Sequence, residues 1–293
     1  MRPTKTEKSS IKLIECPRDA MQGLDYFVPS NLKIAYINAL LKVGFDSLDF
    51  GSFVSEKAIP QMRDAEFVLE HLQSEQSSTQ LLAIIANLKG ADRAIKFPQI
   101  TYLGYPLSIS ETFQRRNTNA SIAQSLITIA EIQNLCKKHN KQLVIYLSMG
   151  FGNPYGEVWN EEILLLRTQQ VIDLGIKTIA LSDTIGISKP ASILSIYPSL
   201  QNNFPGVEFG LHLHSTPQQR TEKIEAAFKA GCTRIDTALK GYGGCPMADD
   251  HLTGNIATED VISYMNKENI PLQLNWEAWL EATNIANKIF NIY

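Results

Sequence analysis

The chain has 293 residues, of which 44% are hydrophobic and 19% charged, with a formal net charge of −3. That is ordinary globular composition, and mild acidity without a Lys/Arg cluster excludes a dedicated nucleic-acid binder. No apolar run reaches the roughly 20 residues of a membrane span, and the polar stretch Met1 to Lys12 lacks the apolar core of a signal peptide.

Apolar, β-rich runs alternate with amphipathic helical stretches along the chain. Ile11 to Cys16 reads as the first strand. A helix is expected over about Pro29 to Val43, with Ser30 and Asn31 as cap candidates and Gly44 as its stop. Asp46 to Phe50 is the second strand, followed by a helix over about Pro60 to Leu72. Leu81 to Ala86 is almost continuously apolar, as a strand covered on both faces would be. A short helix near Gly90 to Lys96 leads to a strand over about Ile100 to Gly104.

The spacing of apolar residues predicts a long helix over Ile122 to Lys138, then a strand over Gln142 to Leu147. A helix over Glu161 to Leu174 ends at Gly175, which suits the C′ position. Thr178 to Leu181 is the sixth strand, a helix over Pro190 to Pro198 follows, and Val207 to Leu213 is the seventh strand. Thr221 to Ala230 is helical, Arg234 to Ala238 is the eighth strand, and helices near 258–265 and 276–289 finish the chain.

Strands alternating with helices imply a parallel sheet. Eight such units in this length predict a (β/α)8 TIM barrel, read as a single catalytic domain over 1–293 with the helices from about 256 packing on the barrel. No GxGxxG follows the first strand, so a dinucleotide-binding fold has no support. In such a barrel the active site lies at the C-terminal ends of the strands.

The polar residues at those ends form a short set. Arg18, Asp19 and Gln22 follow the first strand, and Asp49 and Ser52 belong to the second. Asp183 follows the sixth, His212 and His214 lie on the seventh, and a glycine-rich loop with Cys245 precedes Asn255. In an extended strand, residues two apart share a side, so His212 and His214 aim two imidazoles into one space. Two core histidines that only hydrogen-bond give the same pattern; the company at the same mouth favours a metal.

Asp19, His212, His214 and Asn255 offer two oxygens and two nitrogens to a divalent ion. The oxygens favour Mg²⁺ or Mn²⁺, and the paired histidines also admit Zn²⁺ or Co²⁺. Arg18 suits the stabilisation of a developing enolate, or else an Arg–carboxylate pair at the rim. Gln22, Ser52 and Asp183 are expected to touch substrate, and the Cys245 thiol to donate a proton or cap the site. Cys16, Cys136 and Cys232 read as buried filler. The four cysteines show no CxxC, so neither a disulfide framework nor a zinc knuckle is suggested, and a reducing, cytoplasmic setting follows.

With these residues in view, the chain resembles the 3-hydroxy-3-methylglutaryl-CoA lyase family of metal-dependent barrels. The resemblance rests on Pro17-Arg18-Asp19-Ala20-Met21-Gln22, Ser52-Phe53-Val54-Ser55 and Ser182-Asp183-Thr184-Ile185-Gly186. It rests also on His212-Leu213-His214, Gly243-Gly244-Cys245-Pro246 and Gly254-Asn255-Ile256-Ala257-Thr258-Glu259-Asp260. It implies retro-Claisen cleavage of an acyl-CoA thioester, with metal held by Asp19, His212, His214 and Asn255. Arg18 would then face the enolate, Asp19 or His212 would take the hydroxyl proton, and Cys245 would serve on a closing loop. Asp49, in place of a family glutamate, would tune the network, and a homodimer is implied. The chain departs from the family at Ala20-Met21, at Asp49 and at Ser215. Three alternatives stay open: a lyase for a related 3-hydroxyacyl-CoA, a Claisen-condensing synthase of the isopropylmalate or citramalate type, and a barrel that binds metal without turnover.

Overall fold

The computed structural model describes residues 11–244 and 253–290. Eight parallel strands close into a barrel in the order of the sequence. They are β1 (Lys12–Glu15), β2 (Ser47–Ser52), β3 (Gln80–Ile84), β4 (Ile100–Ser108), β5 (Gln142–Ser148), β6 (Thr178–Asp183), β7 (Glu208–Leu213) and β8 (Arg234–Thr237). β8 pairs with β1 and shuts the ring. The expected (β/α)8 architecture is therefore the observed one.

The helices are α1 (Pro17–Gln22), α2 (Ser30–Leu41), α3 (Ala65–Glu70), α4 (Leu88–Ala94), α5 (Glu111–Thr118), α6 (Ile122–Lys138), α7 (Glu161–Asp173), α8 (Pro190–Asn203), α9 (Arg220–Lys229), α10 (Thr258–Lys267) and α11 (Trp276–Phe290). Their apolar stripes and the outward faces of the strands build one large core. Among the described residues, no helix is long and apolar enough to cross a membrane.

Several boundaries differ from the sequence reading for physical reasons. The helix expected over 60–72 is a 3-10 turn at Pro60–Met62 followed by α3. The break holds Asp64, which accepts hydrogen bonds from Lys33 Nζ (2.6 Å) and Ser30 Oγ (2.6 Å). Ser30, expected to cap α2, is thus committed elsewhere, and Pro29 occupies the N-cap. β4 runs on to Ser108 despite Pro106. The last β3 pairing is Ile84 with Gly104, so Pro106 lies beyond the β3 ladder and pairs only on its other side, with Tyr146 of β5. α8 continues past Pro198, because Ile193, Ile196, Tyr197 and Leu200 form one buried face that outweighs the lost backbone bond.

The barrel interior is packed, and glycines make the room. A Cβ on Gly104 would stand 2.5 Å from Ile84 Cδ1 and 2.9 Å from Tyr146 Cε2. A Cβ on Gly210 would meet Arg234 Nη1 at 2.8 Å. These two absences let Tyr146 and Arg234 turn inward beneath the mouth.

Glu15 points to the outer side of β1 and is fully buried. It accepts hydrogen bonds from Thr258 Oγ1 (2.6 Å) and the Leu239 N–H (2.7 Å), tying β1 to the chain on either side of the loop after β8. Burial pushes its carboxyl up to about 8. The folded chain holds that proton more tightly than the unfolded chain, whose Glu titrates near 4.5. Stability from this group is therefore full below about 4.5 and is lost as pH rises through about 8. Glu15→Gln should flatten that part of the stability–pH curve, as measured by denaturant unfolding across the range.

Candidate metal and active site

α1 begins directly after β1, with Pro17 at its first position, so Arg18 and Asp19 stand at the mouth of the barrel. Gln22 lies one turn further on the same face. Arg18 is the hub. Its Nε donates to both oxygens of Asp49 (3.2 and 3.0 Å), and Nη2 donates to Asp49 Oδ2 at short range. Its Nη1 donates to Asp19 Oδ1 (2.9 Å) and Gln22 Oε1 (2.8 Å). Asp49 is one methylene shorter than the residue the resemblance led us to expect, and it still engages the guanidinium with both oxygens.

Asp19 is held from three sides. Gln22 Nε2 donates to its Oδ1 (2.7 Å) and Asn255 Nδ2 to its Oδ2 (2.7 Å), in addition to Arg18. Asn255 also donates to the Tyr242 carbonyl (2.8 Å). Gly243 has to be glycine here: its φ is +107°, and a Cβ would stand 2.5 Å from Asn255 Nδ2. In this geometry the Asn255 amide nitrogen braces Asp19.

His212 and His214 point to the same side of β7, with their Nε2 atoms 3.2 Å apart. Asp236 Oδ2 lies 3.2 Å from His212 Nδ1, and Asp236 Oδ1 accepts from Arg234 Nη1 (3.0 Å). With a proton on Nδ1 engaged by Asp236, His212 Nε2 presents its lone pair outward. Ligand atoms of Asp19, His212 and His214 all lie within 4.8 Å of one another, and all three residues are buried. Two imidazole lone pairs and a carboxylate converging on one point fit a divalent ion with open positions.

The electrostatics agree with that fit. Burial alone raises Asp19, but Arg18, His212 and His214 outweigh it and hold the carboxyl below its ordinary range. Burial and the neighbouring His212 bring His214 down to about 4, which favours its neutral form, the form that ligates metal. Burial lowers His212, and Asp236 more than compensates, leaving it raised. Burial pushes Asp49 up to about 6 against the pull of Arg18.

The mouth opens into a cavity of about 690 Å³ lined by Arg18, Asp19, Gln22, Ser52, Tyr146, His212 and His214, with Lys57 and Arg116 among its cationic walls. Ser52 Oγ is buried and has no hydrogen-bond partner among the described residues, so its hydroxyl can serve a guest. Asp183 is not brought to this cavity. Its carboxylate accepts the N–H groups of Ile187 (2.9 Å) and Ser188 (3.0 Å) and pairs with Lys223 Nζ (2.9 Å). In this structure Asp183 braces its own loop. Asp49 likewise stands behind Arg18 and positions it without facing the cavity. Cys245 lies outside the described residues.

The sequence reading missed Asp236 and Lys223. Asp236 pairs in register with His212 on the neighbouring strand, a pairing that the β7–β8 register sets and strand order does not reveal. Asp236→Asn should weaken metal binding by roughly 10–100-fold, because it removes the acceptor that orients His212; a metal titration reads this directly. Lys223 sits on the buried face of α9 and donates to Asp183, to the Gly186 carbonyl and to the His214 carbonyl, each at 2.9 Å. Lys223→Met would strand a buried carboxylate and should cost about 3–5 kcal/mol in denaturant unfolding. The double change with Asp183→Asn should recover much of that loss.

A buried guanidinium beside a carboxylate and two histidines, at the C-terminal mouth of a (β/α)8 barrel, defines a class: barrels with a candidate divalent-ion site at the mouth. Within that class the chain belongs to the HMGL-like family, whose sequence pattern matches residues 11–286. It is 32% identical to hydroxymethylglutaryl-CoA lyase of Bacillus subtilis, covering 91% of this chain and 88% of that one. It is 30% identical to the cytoplasmic 3-hydroxy-3-methylglutaryl-CoA lyase of Homo sapiens, covering 96% of this chain and 75% of that one. The solved HMG-CoA lyase of Acinetobacter baumannii, in complex with coenzyme A and 3-methylmalate, superposes with a TM-score of 0.88 at 30% identity, covering 96% of this chain and 91% of that chain.

Proposed function

We propose that this chain is a carbon–carbon lyase that uses a divalent metal to cleave 3-hydroxy-3-methylglutaryl-CoA to acetyl-CoA and acetoacetate. The carrying observation is Arg18, locked by Asp49 and Asp19 at the cavity wall, beside the donors of Asp19, His212 and His214. Relatives that carry the lyase name over nearly the whole chain support the same reading. It takes in the whole chain as one catalytic domain, a cytoplasmic location and a homodimer.

Asp19, His212 and His214 would hold the ion, and Asn255 would keep Asp19 in place or contribute its amide oxygen. Mg²⁺ or Mn²⁺ suits the oxygen share of this set, with Zn²⁺ or Co²⁺ as substitutes. An ion held there would supply Lewis acidity that lowers the pKa of the substrate hydroxyl.

The rest is the work of side chains. Asp19, kept ionised by Arg18, is the acceptor at the wall for the tertiary hydroxyl proton, with His212 oriented beside it by Asp236. The bond between the carbinol carbon and the α-carbon of the thioester then breaks. Its electron pair passes into the thioester enolate, whose oxygen faces the Arg18 guanidinium. Acetoacetate separates, and protonation of the enolate carbon gives acetyl-CoA, a step we assign to Cys245. Gln22 and Ser52 line the same cavity and bind the substrate's polar groups.

The test is incubation with 3-hydroxy-3-methylglutaryl-CoA and Mg²⁺, with acetoacetate and acetyl-CoA measured together. Equal amounts of both are expected. No acetoacetate, but free CoA from acetyl-CoA and a 2-oxo acid, would overturn the lyase reading in favour of a condensing synthase.

A further inference from the structure

On the inner side of His212 lies a second group of donors that the proposed reaction leaves unused. Cys16 stands at the end of β1, His212 on β7 and Asp236 on β8. One Sγ, one imidazole nitrogen and one carboxylate oxygen from these three lie within 4.8 Å of one another. All three residues are buried. His212 Nδ1 and Asp236 Oδ2 are 3.2 Å apart, close to the spacing of two neighbouring ligands on a tetrahedral ion with bonds of about 2.0–2.1 Å. Asp236 offers Oδ2 while Arg234 occupies Oδ1. The Cys16 sulfur makes a 4.0 Å contact with the Ile14 carbonyl, too long to hold it.

We propose that Cys16, His212 and Asp236 form an inner, thiolate-containing site for a soft divalent ion such as Zn²⁺, Co²⁺ or Cd²⁺, with His212 bridging it to the outer donors. The two sites differ in chemistry. Asp19 and Asn255 offer oxygen on the outer side, which suits Mg²⁺ or Mn²⁺, whereas a sulfur ligand selects softer ions. Binding displaces the Cys16 thiol proton and the His212 Nδ1 proton to solvent. The double positive charge of the ion is offset by these two losses, so the interior between Arg18 and Arg234 gains no net charge.

Occupancy has a functional consequence. It replaces the Nδ1–H contact with Asp236 and ties both nitrogens of His212, so filling the inner site should inhibit protein whose outer site already holds Mg²⁺. Cys16 is fully buried, whereas His212 keeps 8% of its surface open at the cavity. Entry therefore runs past His212, and inhibition should set in slowly.

The test is titration of Mg²⁺-loaded protein with Co²⁺, following the sulfur-to-cobalt charge-transfer band, in the native chain, Cys16→Ser and Cys245→Ser. The band is expected in the native chain and in Cys245→Ser, and absent in Cys16→Ser. Inhibition by Zn²⁺ should be weaker by roughly 100-fold in Cys16→Ser, with Mg²⁺-supported activity unchanged. A band that survives in Cys16→Ser, or that never forms in the native chain, overturns the site. Should Cys16→Ser fail to fold, X-ray absorption on the native chain with two equivalents of Zn²⁺ decides: sulfur at about 2.3 Å, retained in Cys245→Ser, supports the site. A shell of nitrogen and oxygen alone overturns it. These spectra do not depend on turnover, so failure of the lyase reading would leave them unaffected.

Discussion

Arg18→Met is expected to lower turnover by about 10³-fold or more while the protein keeps its metal. The side chain makes no contact with either histidine through its hydrogen bonds, which go to Asp49, Asp19 and Gln22. Its removal therefore spares the ion-binding nitrogens and deletes the fixed positive charge that meets the enolate. The buried Asp49, already pushed up to about 6, can take a proton when its partner is gone, which protects the fold. The loss should fall on kcat, because the guanidinium matters most when charge has moved onto the thioester oxygen. Arg18→Lys should recover little, since an ammonium cannot serve Asp49 and Asp19 through one rigid fork. The check is kcat from acetoacetate release beside metal content; a loss under about tenfold would return Arg18 to a bracing role.

Asp19→Ala should remove metal and activity together, with turnover down by about 10³–10⁴-fold. Asp19 is the carboxylate of the three-donor group, and both its oxygens are also struts for Arg18, Gln22 and Asn255. Chelation of the native chain should give the same silence, reversed by Mg²⁺ or Mn²⁺. In Asp19→Ala the added ion should restore little. The contrast with Arg18→Met, which keeps its metal, separates ion binding from charge stabilisation. Measuring bound metal and rate on the same samples makes the comparison.

Much of this arrangement is legible in the sequence because it is local. Period-2 spacing puts His212 and His214 on one side of β7, and alternating strands and helices close the barrel that carries them. The Arg18-Asp19-Gln22 spacing works because these residues share α1, a six-residue helix too short to leave a periodic signal. What the sequence hides is non-local. Asp183 stands at a strand end as a ligand would, but Lys223, forty residues on, neutralises it. Asp236 looks like one more charge in a strand until register sets it against His212. Cys16 passes for core filler until β1, β7 and β8 close around it.

The central claim is best tested by adding Mn²⁺ in small steps to chelated protein and plotting acetoacetate release from 3-hydroxy-3-methylglutaryl-CoA against bound ion. Activity should climb in proportion to occupancy and level off at a single ion per chain. Undiminished acetoacetate release from the stripped protein, or none once that ion is bound, would contradict the account.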